Sequence, residues 1–420
     1  MGGGTHEAGT RHRCRLATEE GRIPYPRQFR RRHFSARSFS CDRLTAGTMI
    51  TIDDVYAADR VSEAGLARLR QRACEIRDQH WGREITYSRK VFIPLTNMCR
   101  NTCGYCVFVK HPGDPAANYL TPDDVLDIAR RGERLGCKEA LFSLGERPER
   151  RYPEAAAILK DLGYATTVDY LVDACRLVLE HTSLIPHVNA GTLTEEEVER
   201  LGEVSASMGM MLENVSKRLS KPGLPHHACP DKAPVLRLRT IEAAGRLGVP
   251  FTTGILIGIG ETWSERIDSL IAINEIHLRH GNVQEVIIQN FRAKAGTAMA
   301  EWIEPSRHEM LKTLAAARIV LDPTISLQAP PNLDEEFEDY IDSGINDWGG
   351  ISPLTRDHIN PERAWPALGE LSRRTSAKGY RLAERLTVYP RYLAECRQAL
   401  AGPLSRLARA DGLAREQFTS

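Results

Sequence analysis

The hydrophobic pattern changes period along this chain. Between residues 53 and 77, Val55, Ala58, Val61, Leu66, Leu69 and Ala73 recur near helical spacing with acids early, which predicts helix. Short apolar runs follow, at 91–96, 139–145, 184–189, 208–214, 251–258, 283–291 and 326–329, and read as strands. Helical patterns lie between them. Thr121-Pro122-Asp123-Asp124 supplies a cap hydroxyl, a first-turn proline and acids against the helix dipole. Thr194 with Glu197 fits a capping box. Pro234 opens a helix expected to reach Gly248, and 306–321 and 334–343 read as further helices.

Strand and helix alternating seven or eight times predict an α/β fold of parallel strands with crossover helices. Right-handed crossovers can close such a series into a (βα)8 TIM-like barrel, with a doubly wound open sheet as the alternative. The conspicuous polar residues sit at carboxyl ends of strands, where such barrels build their sites. The segment 99–106 follows the first strand and Gly145-Glu146 the second. Asn189 ends the third, Glu213 the fourth, and the run 258–261 the fifth. An interior of Ile, Leu and Val is expected to fill the barrel below them.

Composition narrows the picture. With 56 basic and 55 acidic residues, the chain as a whole has no bias toward nucleic acid or acidic membrane. No apolar stretch approaches the roughly 18–20 residues that span a bilayer, and no secretory pattern opens the chain. The segment 1–48 differs from the rest: it carries ten Arg, no Lys and four acids, with no periodic apolar face. It reads as a disordered basic arm; a targeting segment and a nucleic-acid arm are the alternatives. The expected organisation is this arm over 1–48, an N-terminal helical extension over 49–84, the barrel over 85–400 and a tail over 401–420.

The chemistry sits in Cys99-Arg-Asn-Thr-Cys103-Gly-Tyr-Cys106. Ten Cys scattered at random would give this spacing with a chance of roughly 0.006. Three thiolates so spaced can hold three irons of a 4Fe-4S cube, which normally takes four Cys. No fourth Cys is near in sequence, since the next is Cys137, so one iron is left open. The alternative is a structural zinc ion with His111 as fourth ligand. Such thiolates suit a reducing cytoplasm. An open iron needs a small bidentate ligand, and the amine and carboxylate of an amino acid fit.

These residues resemble the radical S-adenosylmethionine superfamily. Cys99, Cys103 and Cys106 match its cluster motif, with Tyr105 as the aromatic before the last Cys. The run 143–146 resembles its Gly-Glu motif, and Gly254 to Glu261 its glycine-rich motif beside adenine. The resemblance implies a radical SAM barrel and places the cofactor at Tyr105, Gly145, Glu146, Asn189, Glu213, Arg218 and Gly258. Glu213 would take ribose hydroxyls and Arg218 the methionine carboxylate. Longer blocks are similar to the CofG subunit family of 7,8-didemethyl-8-hydroxy-5-deazariboflavin synthase. They include 92–108, 141–149, 289–294 and 346–355, with Asn360-Pro361 and Trp365-Pro366.

That resemblance implies a lyase that closes a deazaflavin ring. Its small-molecule substrate would be a hydroxybenzyl–ribityluracil adduct supplied by a CofH-type partner subunit. A small electron donor such as flavodoxin or ferredoxin is also implied, and neither nucleic acid nor membrane. Asn346, Asp347 and Trp348, with Ser352 and Thr355, are the candidates for substrate contact; a packed loop is the plain reading of the same residues. No acid or base is assigned, although His187, His226 and His227 are present. Another radical reaction on the same barrel, an electron carrier, and a zinc-bearing nucleic-acid protein remain as alternatives.

Overall fold

The computed structural model describes residues 50–415. The basic arm expected over 1–48 lies outside the described residues, as do 416–420. Eight parallel strands run in chain order: β1 (Glu84–Ile93), β2 (Glu139–Ser143), β3 (Ile185–Asn189), β4 (Ser207–Gly209), β5 (Phe251–Ile257), β6 (Val283–Asn290), β7 (Ser326–Gln328) and β8 (Asp347–Ile351). Each pairs with the next, and β1 pairs with both β2 and β8. That double pairing closes the cylinder and excludes the open doubly wound sheet. A ninth strand, β9 (Arg381–Arg385), runs parallel to the stretch 84–88 of β1, below the stretch 90–93 that pairs with β2.

Helices α1 (Ile52–Ala57) and α2 (Glu63–Trp81) precede the barrel. The crossovers hold α3 (Pro122–Arg134), α4 (Pro153–Asp161), α5 (Thr167–His181), α6 (Glu195–Gly202), α7 (Pro234–Arg246), α8 (Trp263–His280) and α9 (Arg307–Val320). The expected capping box of Thr194 with Glu197 forms, and Thr121 with Asp124 forms another. In α3, Gly132 lets the helix press on β1, because a Cβ there would meet Val91 Cβ at 2.7 Å. After the barrel come α10 (Leu368–Ala377) and α11 (Gln398–Leu407). Leu400, Leu404 and Leu407 pack with Leu386, Val388, Tyr389 and Tyr392 in a second core. The stretch 401–407 therefore belongs to a packed helix, not to the expected tail.

Several expectations need correction. The run 208–214 shrinks to the short β4, because Glu213 adopts φ +65° and leaves the extended region. It rejoins β5 by a single bridge to Ile255. The helix expected over 334–343 is a 3-10 turn, Phe337–Ser343, ended by Gly344 at φ +93°. Strand β8 was not expected: its sequence, Asp-Trp-Gly-Gly-Ile, carries two glycines that read as a loop.

The largest correction concerns the interior. Val91, Ile93, Ala140, Phe142, Val188, Val286, Ile288 and Leu327 are buried in the main hydrophobic core. The alternate positions Lys90, Glu139, His187, Thr252, Glu285 and Gln328 instead line one central cavity. Strand alternation puts these two sets on opposite faces. The barrel is thus apolar outside, against its helices, while its lumen mixes these charged and polar groups with Phe92, Leu141, Met210, Met211 and Ile287. Among the described residues no helix is long and apolar enough to cross a membrane.

Candidate active site

The cysteine loop leaves β1 and is pinned to the end of β2. Gly145 N–H donates to Thr96 O at 2.8 Å, and Arg100 N–H to Glu146 O at 3.0 Å. The contact is so close that a Cβ on Gly145 would lie 1.9 Å from Met98 O. Only glycine fits there. Cys99 is buried and its Sγ accepts from Glu146 N–H at 3.1 Å and Asn101 N–H at 3.4 Å. Cys103 and Cys106 are half-buried on the same loop. Burial pushes the Cys99 thiol up to about 12, with the two backbone N–H groups opposing. Binding a metal would therefore release a proton there.

The donor set fits an iron–sulfur cube. Three thiols come from one loop, and two N–H groups already point at one sulfur. Among the described residues, no three His, Cys, Asp or Glu side chains converge on a single ion. Three corners of a cube need no such convergence, since each Cys meets a different iron. His111, the proposed fourth zinc ligand, bonds Tyr152 OH through Nδ1 at 2.9 Å. One sequence expectation changes: a fourth thiol is near in space. Cys229 lies beside Cys103, and its thiol draws the Cys103 thiol below its ordinary value. Its Sγ also lies 3.4 Å from His227 O.

Glu146 anchors a buried polar web. Its Oε1 accepts from Thr192 N–H at 2.6 Å and Thr192 Oγ1 at 2.5 Å, and its Oε2 from Asn101 Nδ2 at 3.1 Å. Gly191, at φ +77°, makes room: a Cβ there would sit 2.3 Å from the Glu146 carboxyl carbon. Arg237 donates to Met211 O at 2.7 Å and Asp231 O at 3.1 Å, and lies 3.7 Å from Glu146. Asp231 receives Arg100 Nε at 2.5 Å and Asn101 Nδ2 at 3.2 Å. Glu213, also buried, accepts from Lys232 Nζ at 2.6 Å. Burial opposes its ionisation, but Lys232 and Arg237 hold its carboxyl below the usual range. Tyr105 OH lies 3.1 Å from His226 Nε2.

Below this rim is the lumen, a cavity of about 170 Å³ bounded by all eight strands. Lys90 Nζ lies 2.9 Å from Glu139 Oε1, and Ser88 Oγ donates to the other oxygen. Gly350 on β8 leaves room for Lys90, since a Cβ there would fall 1.8 Å from Lys90 Cε and push that side chain aside. Burial raises the Glu139 carboxyl, but Lys90, His187 and Arg385 more than offset it and hold it at about 2. Burial depresses His187 to about 4, so the ring is neutral; its Nδ1 lies 2.7 Å from Ser207 Oγ. Arg385 forms the floor, donating to Glu285 at 2.8 Å and Asp347 at 2.6 Å.

A model of the Radical SAM superfamily matches residues 93–272, which contain the cysteine loop, the Gly-Glu turn and β2 to β5. The 7,8-didemethyl-8-hydroxy-5-deazariboflavin synthase of Methanopyrus kandleri is 49% identical over 310 residues, covering 74% of this chain and 92% of that one. The chain belongs to this radical SAM synthase family. The FO synthase of Nocardia farcinica is 47% identical over 402 residues, covering 90% of this chain and 46% of that protein. The chain thus spans less than half the length of the FO synthases it matches first. Among solved structures, methylornithine synthase superposes at TM-score 0.63 with 18% identity, covering 82% of this chain and 97% of its own. The FeFe-hydrogenase maturase of Carboxydothermus hydrogenoformans does so at 0.65 with 18% identity, covering 87% and 88%. These two likenesses concern the fold.

Within this family frame, the expected site residues divide. Tyr105 is part of the cysteine loop, Gly145 and Glu146 join it through the contacts above, Glu213 nears it through Lys232, whose Nζ lies 5.9 Å from the Tyr105 ring centroid, and Asn189 lines the lumen below it. Gly258 stands at φ +88° under Pro305, and its N–H donates to Glu261 Oε1 at 2.8 Å. Ile259 N–H meets the other Glu261 oxygen at 2.8 Å, so that carboxylate shapes the turn from within. Arg218 is engaged elsewhere, donating to Glu265 at 2.7 Å and Gly260 O at 2.7 Å.

Asn346, just before β8, and Asp347 and Trp348 at its start do not line the cavity. Asn346 is bonded to Arg318, Leu327 N–H and Ser326. Trp348 is fully buried, donates to Thr375 Oγ1 at 3.1 Å and meets Phe337 edge-on. Asp347 pairs with Arg385 beneath the lumen. All three are held by neighbours within the protein. Sequence reasoning also passed over Asn101, Thr192, Asp231, Lys232 and Arg237. Only a buried partner marks them, and single charged or hydroxyl residues give no such signal in sequence. A wider cleft of about 360 Å³ lies at the outer rim, lined by Arg292, Arg307 and Glu336. No cysteine lines it, and its charges pair with neighbours, Arg307 with Glu336 at 2.9 Å and Arg292 with Glu304 at 2.6 Å.

Proposed function

We propose that the chain closes the central ring of a deazaflavin. The substrate is 5-amino-5-(4-hydroxybenzyl)-6-(D-ribitylimino)-5,6-dihydrouracil. With one S-adenosylmethionine it yields 7,8-didemethyl-8-hydroxy-5-deazariboflavin, ammonia, methionine and 5′-deoxyadenosine. The observation that supports this reading best is a lumen lined by charged, polar and aromatic residues beneath a three-cysteine rim. The adduct carries uracil carbonyls and N–H groups, a phenol and a chain of ribityl hydroxyls. Lys90, Glu139, Asn189, Thr252 and Gln328 on the cavity wall offer donors and acceptors to match. An electron carrier needs no such cavity.

Cys99, Cys103 and Cys106 would hold a 4Fe-4S cluster and leave its fourth iron to S-adenosylmethionine. When bound, that pair supplies hydrogen-atom abstraction from an unactivated carbon. Glu146, Glu213, Asn189, Tyr105 and Gly258 would seat the cofactor, and Glu146 would keep Thr192 and Asn101 as its supports. Arg218 would reach a carboxylate only by releasing Glu265. Lys90 and Glu139 would supply a proton donor and an acceptor for loss of the amine and aromatisation of the ring. The adduct would come from a CofH-type partner subunit, and electrons from a small donor such as flavodoxin or ferredoxin, in a reducing cytoplasm. Anaerobically reconstituted chain, given adduct, S-adenosylmethionine and a reductant, should produce deazaflavin fluorescence. Deoxyadenosine without deazaflavin would assign the barrel to another radical reaction.

A further inference from the structure

One segment, 352–366, spans from β8 toward α10 and contributes Asp357, Ile359, Asn360 and Trp365 to the cavity wall. Asp357 fixes its shape. Its carboxylate accepts from Ile359 N–H at 2.9 Å, Asn360 N–H at 3.1 Å, and Asn360 Nδ2 and Asn332 Nδ2 at 3.0 Å each. Thr355 ties it to β1, accepting Phe92 N–H at 3.1 Å.

The Trp365 ring lies nearly parallel to Phe92, at 11° with centroids 5.9 Å apart, and both rings line the cavity. Phe92 meets His358 edge-on at 6.3 Å, and His358 meets Phe108 at 6.1 Å. Phe108 closely follows Cys106, so an aromatic wall runs from the cysteine loop to the lumen. Within that wall, Trp365 Nε1 is buried and has no hydrogen-bond partner among the described residues. A buried indole N–H normally finds an acceptor, and an orphan calls for one. The cavity below holds about 170 Å³. Pockets for drug-sized ligands start at roughly 300 Å³, so a ligand as large as the adduct would fill this cavity and meet the segment that walls it.

We propose that Trp365 is a specificity-determining residue for the substrate. Its indole N–H donates to a pyrimidine carbonyl oxygen, and its face, with Phe92, walls the hydroxybenzyl ring. The inference rests on the function proposed above, and its test separates the two. With reconstituted full-length chain, Trp365→Phe keeps the ring and removes the donor. KM for the adduct should rise about tenfold with kcat within about twofold. Trp365→Leu removes both, and kcat/KM should fall about a hundredfold. Iron per chain and the slow release of deoxyadenosine without adduct should stay at wild-type levels in both variants.

An unchanged KM in Trp365→Phe overturns the proposal. So does a loss of iron or of adduct-independent deoxyadenosine in Trp365→Phe, which would mark a structural role. Titration with the deazaflavin product, followed by its own fluorescence, needs no turnover and should show binding about tenfold weaker in Trp365→Phe. Equal binding overturns the proposal. If wild type releases deoxyadenosine yet neither makes nor binds deazaflavin, the proposed function itself fails.

Discussion

The rim and the lumen of this barrel share the same strands but are held in different ways. The rim is a backbone construction. Cys99 Sγ, Gly145 and Glu146 meet through main-chain N–H and C=O groups, all within the stretch from β1 to the end of β2. The lumen is a side-chain construction. Lys90, Glu139, His187, Glu285 and Arg385 come from five strands spread from β1 to β9, and they meet only when the cylinder closes. A backbone scaffold places three sulfurs reproducibly whatever fills the barrel. A side-chain lumen can be altered one residue at a time without moving the rim. The first suits a cofactor shared across a superfamily, and the second suits a substrate peculiar to one branch of it.

The harshest break falls on the rim. Cys99→Ala, Cys103→Ala or Cys106→Ala should each abolish iron incorporation after anaerobic reconstitution while far-UV circular dichroism stays native. Gly145→Ala should do nearly as much without touching a sulfur, because its Cβ collides with the Met98 carbonyl. Iron at wild-type level in that variant would show that the loop is not pinned as described.

A smaller effect is expected in the lumen, through His187. Its folded pKa is depressed by burial to about 4 from an ordinary 6.5. Below pH 6.5 the unfolded chain binds the proton and the folded chain does not, so stability falls as pH falls toward 4. The loss at the lower end is on the order of 3 kcal/mol. Urea midpoints at pH 7 and pH 4.5 should diverge more in wild type than in His187→Gln. Equal divergence would mean that the ring is not held neutral.

The smallest effect sharpens the contrast between three sulfurs and four. Cys229→Ser should retain the full iron complement and its response to S-adenosylmethionine. A loss of one iron per cluster would give Cys229 the corner assigned here to the cofactor.

Part of this was legible before the structure. Cap residues such as Thr121 and Thr194 act within one helical turn, and the cysteine spacing between 99 and 106 is just as local, so both announce themselves in the chain. The alternation of strand and helix pointed to the barrel for the same reason. The lumen escaped notice because period-2 alternation tells which residues share a face, not which face looks inward. Single charged residues such as Lys90 and Glu139 carry no mark of an inward position in sequence, and the interior was expected to be Ile, Leu and Val alone. Strand β8 was hidden by Gly349 and Gly350, although Gly350 is there to let Lys90 pass. Arg237 and Lys232 are lone cations in sequence and acquire meaning only beside Glu146 and Glu213.

The division between rim and lumen can be read in one experiment on a Lys90→Met, Glu139→Gln double variant, in which the buried pair is removed together and no lone charge is left. Deoxyadenosine release without adduct and deazaflavin yield with adduct are measured on the same anaerobic preparation. Deoxyadenosine release should match wild type while deazaflavin falls at least about a hundredfold. Parallel loss of both, or full retention of deazaflavin, would contradict the assignment of radical generation to the rim and substrate handling to the lumen.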